Sequence, residues 1–382
     1  MTERLTADVA VVGGGTAGCA AAVALRKAGM SVVLLEKGLC GAGASGVNFG
    51  GVRQQGRHMA ELPLARRSRA IWQNLSAFLG EDVEFEPTGH MKLARSESDM
   101  AELERYARYA AEHGLKLELL GANAVRTELP WMGPKVVGAS LCAEDGAANP
   151  RVVAPAFARL ARRLGADIRE KEEVLEAARA GDAFEIRTAT LLVTSTFLIN
   201  TAGIAAGKVA GWFGEEAPVG PVIPNMIVTE PLPMFVTRAL GVCGGDIYVR
   251  QVARGNVIMG GGCGWGDADL TYSRPITEQS LTGMAKTLDL VPALKGAQVI
   301  RTWTGIDGQM PDRIPVIGFS ATTPNLVHAF GFSGHGFQLG PVIGEILAEL
   351  VTQGRSTSPL APFAVDRFPP GTAPLPLAGV EH

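Results

Sequence analysis

The first apolar run, residues 7–13 (Ala-Asp-Val-Ala-Val-Val-Gly), is continuous rather than alternating and stops in glycines, the pattern of a strand buried on both faces. An alanine-rich stretch suited to a helix covers 16–28, and a second apolar strand follows at 31–36, so the opening reads as one βαβ unit. Helical patterning returns over 62–79, 97–113 and 152–164, the last two with charged outer faces. Alternation over 83–93 predicts antiparallel sheet. Leu191-Leu192-Val193 and Phe197-Leu198-Ile199 predict two strands that rejoin the first sheet.

From 219 to 259 the chain is β-rich, broken by Pro221, Pro224, Pro231, Pro233 and the Gly244-Gly245 turn, and is assigned to a second layer. Residues 326–351 repeat the opening grammar of strand, glycine-rich turn and apolar helix. The Pro-, Ser- and Thr-rich stretch after Gly354 predicts a loose tail. No repeat of fixed period is visible.

The 382 residues, 47% hydrophobic and 19% charged, suffice for one large or two modest cores. A formal charge of −3, without a basic run beside aromatic residues, gives no electrostatic footprint for nucleic acid. Cys19, Cys40, Cys142, Cys243 and Cys263 lack the spacing of a zinc or iron-sulfur site and read as reduced thiols. The apolar run from Val9 is broken by Gly13-Gly14-Gly15 and has no basic leader, so neither a signal peptide nor a membrane span is expected. The expected compartment is the cytoplasm.

Gly13-x-Gly15-x-x-Gly18 follows a strand and opens a helix, with Glu36 at the end of the next strand. Gly13 permits the tight turn, Gly15 lets backbone amides approach a pyrophosphate, and Gly18 lets helix and strand pack closely. Thr16 and Ala17 begin the helix beside the phosphates, Glu36 accepts from ribose hydroxyls, and Lys37 follows it. The motif does not choose between FAD and NAD. No second such glycine motif opens a helix, so if the one nucleotide is FAD, the electrons come from the substrate.

These motifs resemble the D-amino-acid oxidase and sarcosine oxidase superfamily of flavoproteins, and within it the β subunits of D-hydroxyproline dehydrogenase, opine oxidase and sarcosine oxidase. The resemblance spans nearly the whole chain. It is carried by Gly13-Gly14-Gly15, Leu35-Glu36-Lys37-Gly38, Gly41-Ala42-Gly43-Ala44-Ser45-Gly46 and Gly50-Gly51-Val52-Arg53 at the front. Thr88-Gly89-His90 and Asn200-Thr201-Ala202-Gly203 carry it through the middle. Arg301-Thr302-Trp303-Thr304-Gly305, Pro311-Asp312, Pro315-Val316-Ile317-Gly318 and Gly334-His335-Gly336-Phe337-Gln338 close it.

The resemblance implies a mixed α/β fold: a Rossmann-like FAD domain (1–80, 145–215 and 311–370) interleaved with an antiparallel β-sheet substrate domain (81–144 and 216–310), and a tail at 371–382. It implies that Ala44, Ser45, Gly46, Val174, Ala202 and Gly203 hold parts of the FAD. Gly334, His335, Gly336, Phe337 and Gln338 would lie against the isoalloxazine, where a glycine turn entering a helix suits a flavin carbonyl.

Three departures refine what is expected. Arg301 stands where single-chain sarcosine oxidases carry the flavin-linking cysteine, implying non-covalent FAD. Ile258 or a neighbour replaces their oxygen-activating lysine, implying transfer of electrons to a partner subunit or carrier rather than directly to oxygen. Asp307 and Gln338 replace two usual cationic anchors for a substrate carboxylate. Arg57 or Arg250 would then serve as anchor, unless each makes only a surface ion pair, and Asp307 would face the amine unless it merely caps its own loop.

The implied reaction is hydride transfer from the carbon beside a neutral amine to flavin N5, giving an imine that hydrolyses, with Trp303 and Phe337 excluding water. Substrates of D-amino-acid, hydroxyproline, sarcosine or opine type all fit, and oligomerisation stays open. Oxidation of a 2-hydroxy acid or polyol phosphate on the same fold, and a non-catalytic FAD-carrying relay subunit, are the alternatives.

Overall fold

The computed structural model describes residues 2–377. Its first sheet is built on five parallel strands in the spatial order Leu326–Phe330, Leu191–Asn200, Glu3–Val12, Val32–Glu36 and Asp167–Glu170. The strand Val316–Phe319 adds an antiparallel edge, and the hairpin Glu176–Ala180/Ala183–Arg187 pairs with the first half of Leu191–Asn200. Helices Thr16–Lys27, Pro150–Arg163 and Gly336–Gln353 cover one face, burying Val9, Val11, Leu34, Ile199 and Val327 beneath them. Sequence from three separated thirds of the chain meets in this layer, which brings the Gly13–Gly18 turn and the Gly334–Gly336 turn together.

The two apolar runs at 191–193 and 197–199 belong to one ten-residue strand, continuous because it pairs in register with Glu3–Val12 along its length. The helical stretch 62–79 is two helices, Leu62–Gln73 and Leu75–Leu79, meeting at Asn74. Of the alternating stretch 83–93, only His90–Ala94 forms a strand of the second sheet; Pro87 lacks an N–H, and Gly89 (φ +85°) turns the chain just before it.

The second sheet runs Val299–Thr304, Pro224–Pro231, Asn256–Cys263, Tyr248–Gln251, Ala239–Val242, His90–Ala94, Gly138–Cys142 and Glu118–Gly121. It is antiparallel except where Ala239–Val242 runs parallel to His90–Ala94, a departure from a purely antiparallel expectation. One face is apolar: Met91, Leu93, Ala139, Leu141, Ile227, Leu240, Val249 and Met259 join a single core cluster. The two-residue period of a strand therefore turns His90, Lys92, Ser140, Tyr248, Arg250 and Ile258 to the other face.

The chain after Gly354 is not the loose tail its composition suggested. Phe363 and Val365 are buried, and Gly371 N–H donates to Glu216, because apolar side chains are interspersed among the prolines. The last part of the expected tail, residues 378–382, lies outside the described residues.

Candidate active site

A cleft of about 820 Å³ runs across the ends of the parallel strands, the place where open α/β sheets hold dinucleotides. Gly13, Gly15, Thr16, Ala17, Glu36, Lys37, Ala44, Ser45, Val174, Ala202, Gly203, Gly334, Gly336, Phe337 and Asp307 all line it. Gly13 sits at φ +105°, and a Cβ there would fall 2.4 Å from Thr201 O. A Cβ on Gly18 would fall 2.1 Å from Gly13 O, and one on Gly46 2.0 Å from Gly41 O. Gly18 and Gly46 are thus packing residues behind the cleft wall rather than part of its lining.

The lining suits FAD. Both oxygens of Glu36 are held in place by amide donors, Gly14 N at 2.7 Å and Gly38 N at 2.7 Å, leaving lone pairs for ribose hydroxyls. Ser45 Oγ accepts from Thr16 N at the start of the helix, while Thr16 Oγ1 is buried with no partner of its own, an orphan that a phosphate oxygen beside the helix N-terminus would satisfy. Among the described lining residues there is no cysteine, histidine or tyrosine. Arg301 is exposed on its strand; Gly305, against Val47, is what that stretch presents to the cleft.

Several expected residues lie elsewhere. Gln338 is buried behind the turn, its Nε2 donating to Ala65 O while its backbone carbonyl accepts from Ser68 and Trp72. Trp303 is fixed by Nε1 donating 2.8 Å to Val47 O and does not line the cleft itself. Arg57 and Arg250 are outside the cleft lining as well, but neither is a surface residue: they are 3% and 8% exposed.

Asp307 does cap its own neighbourhood, accepting from Gly308 N at 3.0 Å and Gly334 N at 2.8 Å, and it also faces the cleft. Burial pushes its carboxyl up to about 6, against the pull of those two amides. His335, between two lining glycines, places Nδ1 2.9 Å from both oxygens of Glu61, which is 0% exposed. Burial, with Arg57 nearby, brings the imidazole down to about 4. Burial pushes Glu61 up, but His335 and Arg57 outweigh it and hold its carboxyl below the usual range. The pair is therefore a carboxylate and a neutral imidazole whose Nδ1–H donates, which leaves Nε2 an acceptor.

Facing the second sheet, the segment 47–57 crosses its polar side. Phe49 stands edge-on to Tyr248 at 4.8 Å, and Arg250 lies over the Phe49 ring at 5.4 Å. Gln55 reaches His90 Nδ1 at 2.9 Å and accepts from Ser140 Oγ at 3.1 Å, with Asp145 fixing the Gln54 and Gln55 amides. Burial, then Arg53, Lys92 and Arg57, hold His90 well below its ordinary range, so it is neutral.

Glu61, Tyr248, Phe49 and this Gln55–His90–Ser140 network escaped sequence reasoning. The spacing His58-x-x-Glu61, which forms a capping box here, was the one signal for Glu61. The hairpin Trp265–Gly266/Ser273–Arg274, which brings Asp269, Leu270 and Thr271 to the cleft, left no signal we recognise.

Fold and cleft together define a dinucleotide-binding flavoenzyme with a separate sheet walling the reaction space. The family model of FAD dependent oxidoreductases (DAO) matches residues 8–350, and the chain belongs to that family. It is an FAD-dependent oxidoreductase, whose relatives are by name amine and amino-acid oxidases or dehydrogenases. Glycine oxidase of Geobacillus kaustophilus is 27% identical over 96% of this chain and 98% of its own length. Sarcosine oxidase subunit beta of Rhizobium meliloti is 28% identical over 95% and 89%. The crystal structure of L-proline dehydrogenase from P. horikoshii superposes with a TM-score of 0.89 at 26% identity, covering 96% and 98% of the two chains. Among the described residues, no helix is long and apolar enough to cross a membrane.

Proposed function

We propose that this enzyme oxidises a small amine bearing a carboxylate, an amino acid or N-substituted amino acid, in the cytoplasm, and passes the electrons to a partner subunit or carrier. Bound FAD, held non-covalently, supplies the two-electron acceptor. The substrate's amine carbon loses a hydride and its nitrogen a proton; water then adds to the resulting imine, giving a carbonyl compound and a released amine or ammonia.

The observation that carries this reading is the pairing of a cleft fitted to FAD with buried, unpaired arginines on the neighbouring wall. The arginines orient a carboxylate. Asp307 faces the cleft where an amine would lie and holds its proton balance near neutrality. His335, kept neutral by Glu61 and burial, offers an acceptor nitrogen at the turn. The aliphatic Ile258, half-buried on the polar side of the sheet, supplies no cation beside the reaction space to favour charge on reduced oxygen, which supports a dehydrogenase over an oxidase.

The test is anaerobic mixing of the yellow protein with D- and L-amino acids, hydroxyprolines, sarcosine, opines, 2-hydroxy acids and glycerol phosphate, following flavin absorbance, then admitting air. Bleaching by an amine with slow recovery in air is the expected result. Bleaching by a hydroxy acid or polyol phosphate alone, or by nothing, refutes it; fast recovery in air refutes the electron-carrier half only.

A further inference from the structure

Arginine is rarely buried without a partner, because the cost of desolvating a guanidinium is several kcal/mol unless an anion and hydrogen-bond acceptors replace the water. This chain buries two such residues. Neither Arg57 nor Arg250 forms an ion pair among the described residues. Arg57 Nη1 and Arg250 Nε are buried with no hydrogen-bond partner, and the only bond to Arg57's guanidinium is from Nε to Arg53 O at 3.1 Å.

The two lie in different places. Arg57 belongs with Arg53, Glu61 and His335 under the Gly334–Gly336 turn, and the segment leading to it is tied to His90 and Ser140 by Gln55. Arg250 sits on the strand Tyr248–Gln251, against Phe49 and Gly50. The registers Leu240↔Val249 and Ala239↔His90 put Arg250, Ala239 and His90 in one row across three strands, so Arg250 and His90 are two strand spacings apart, roughly 10 Å. Both arginines flank the space between the segment 47–57 and the polar side of the second sheet.

We infer that the substrate carries two carboxylates, one met by Arg57 and its neighbour Arg53, the other by Arg250: a secondary amine whose two arms each end in an acid, of the N-carboxyalkyl amino-acid class. This rests on the amine-oxidation reading above and narrows its substrate class. An amino acid with one carboxylate would satisfy one arginine and leave the other buried and bare. Oxidation of such an amine removes a hydride and a proton from the C–H and N–H. Addition of water then splits the C–N bond, so that the products are one 2-oxo acid and one amino acid, with the two electrons on the flavin.

The first test avoids turnover. Glutarate and butyrate, unreactive acids of similar reach with two and one carboxylates, are titrated into the holoprotein while the flavin spectrum is followed. Glutarate binding at least 10-fold tighter than butyrate is expected, with Arg250→Met weakening glutarate 10-fold or more and moving butyrate less than 3-fold. Equal affinities, or a variant that weakens both acids alike, overturn the inference. Should Arg250→Met fail to retain flavin, the wild-type affinity ratio decides alone.

The second test compares bleaching by N-carboxyalkyl amino acids with bleaching by sarcosine and proline. If single-carboxylate amines bleach as fast and bind as tightly, the two-carboxylate inference fails while amine oxidation stands. If glutarate binds tightly but no amine bleaches the flavin, the amine reading fails and the paired anion site stands.

Discussion

Replacing His335 by Gln isolates one titration. Glutamine keeps a donor toward Glu61 and cannot take a proton. In the folded wild type the imidazole is brought down to about 4 from an ordinary 6.5. The unfolded chain therefore binds a proton at His335 between those values while the native state does not, and stability is lost as pH falls through that window. At pH 5.0 the loss is 1.5 pH units' worth, about 2 kcal/mol. The side chain is 16% exposed, so little of this is screened away.

For 382 residues unfolding together, an entropy of about 2.1 cal/mol/K per residue makes that roughly 2.5 °C in Tm. Asp307 acts in the opposite sense, since its raised value adds stability as pH falls from 6 toward 3.8, but it is common to both proteins and cancels. Thermal unfolding of holoprotein followed by circular dichroism at pH 7.5 and 5.0 measures the difference. Wild type should lose about 2.5 °C more than His335→Gln on acidification; equal losses would show that His335 titrates normally and that the buried Glu61 pairing does not hold it neutral.

Other consequences follow from the same geometry. Glu36→Gln loses the charge that two amides orient, and FAD affinity measured by fluorescence quenching should fall about 10- to 100-fold. Asp307→Asn removes the group that titrates near 6: in wild type the apparent Kd for an amine substrate should weaken as pH drops through about 6, and in the variant that inflection should vanish. Gly344→Val places side-chain atoms where a Cβ alone would lie 2.5 Å from Ala20, so the helices Thr16–Lys27 and Gly336–Gln353 must part, costing about 2–3 kcal/mol by chemical denaturation.

What the sequence disclosed and what it withheld divide along a physical line. The glycine turn, Glu36 and the turn at Gly334 were legible because their chemistry is local: each depends on a backbone conformation or close approach that only a few neighbouring residues determine. Even there the roles divided in a way spacing does not show. Gly15 faces the cleft, while Gly18 and Gly46 act one layer behind it, preventing a collision with a carbonyl.

The reaction side was harder to read because its residues meet across long loops. Glu61 precedes His335 by 274 positions, and Arg250 stands two strands from His90 only after the chain has passed through the first sheet and back. A buried arginine and an exposed one are the same letter in sequence; only the packed structure distinguishes them. The burial of Arg57 and Arg250 without counter-ions is what turns two residues that composition would place on the surface into the strongest indication of the substrate's charge. Folding tolerates that cost where a ligand offsets it, so the least stable feature of the empty wall is also the most informative about what binds there.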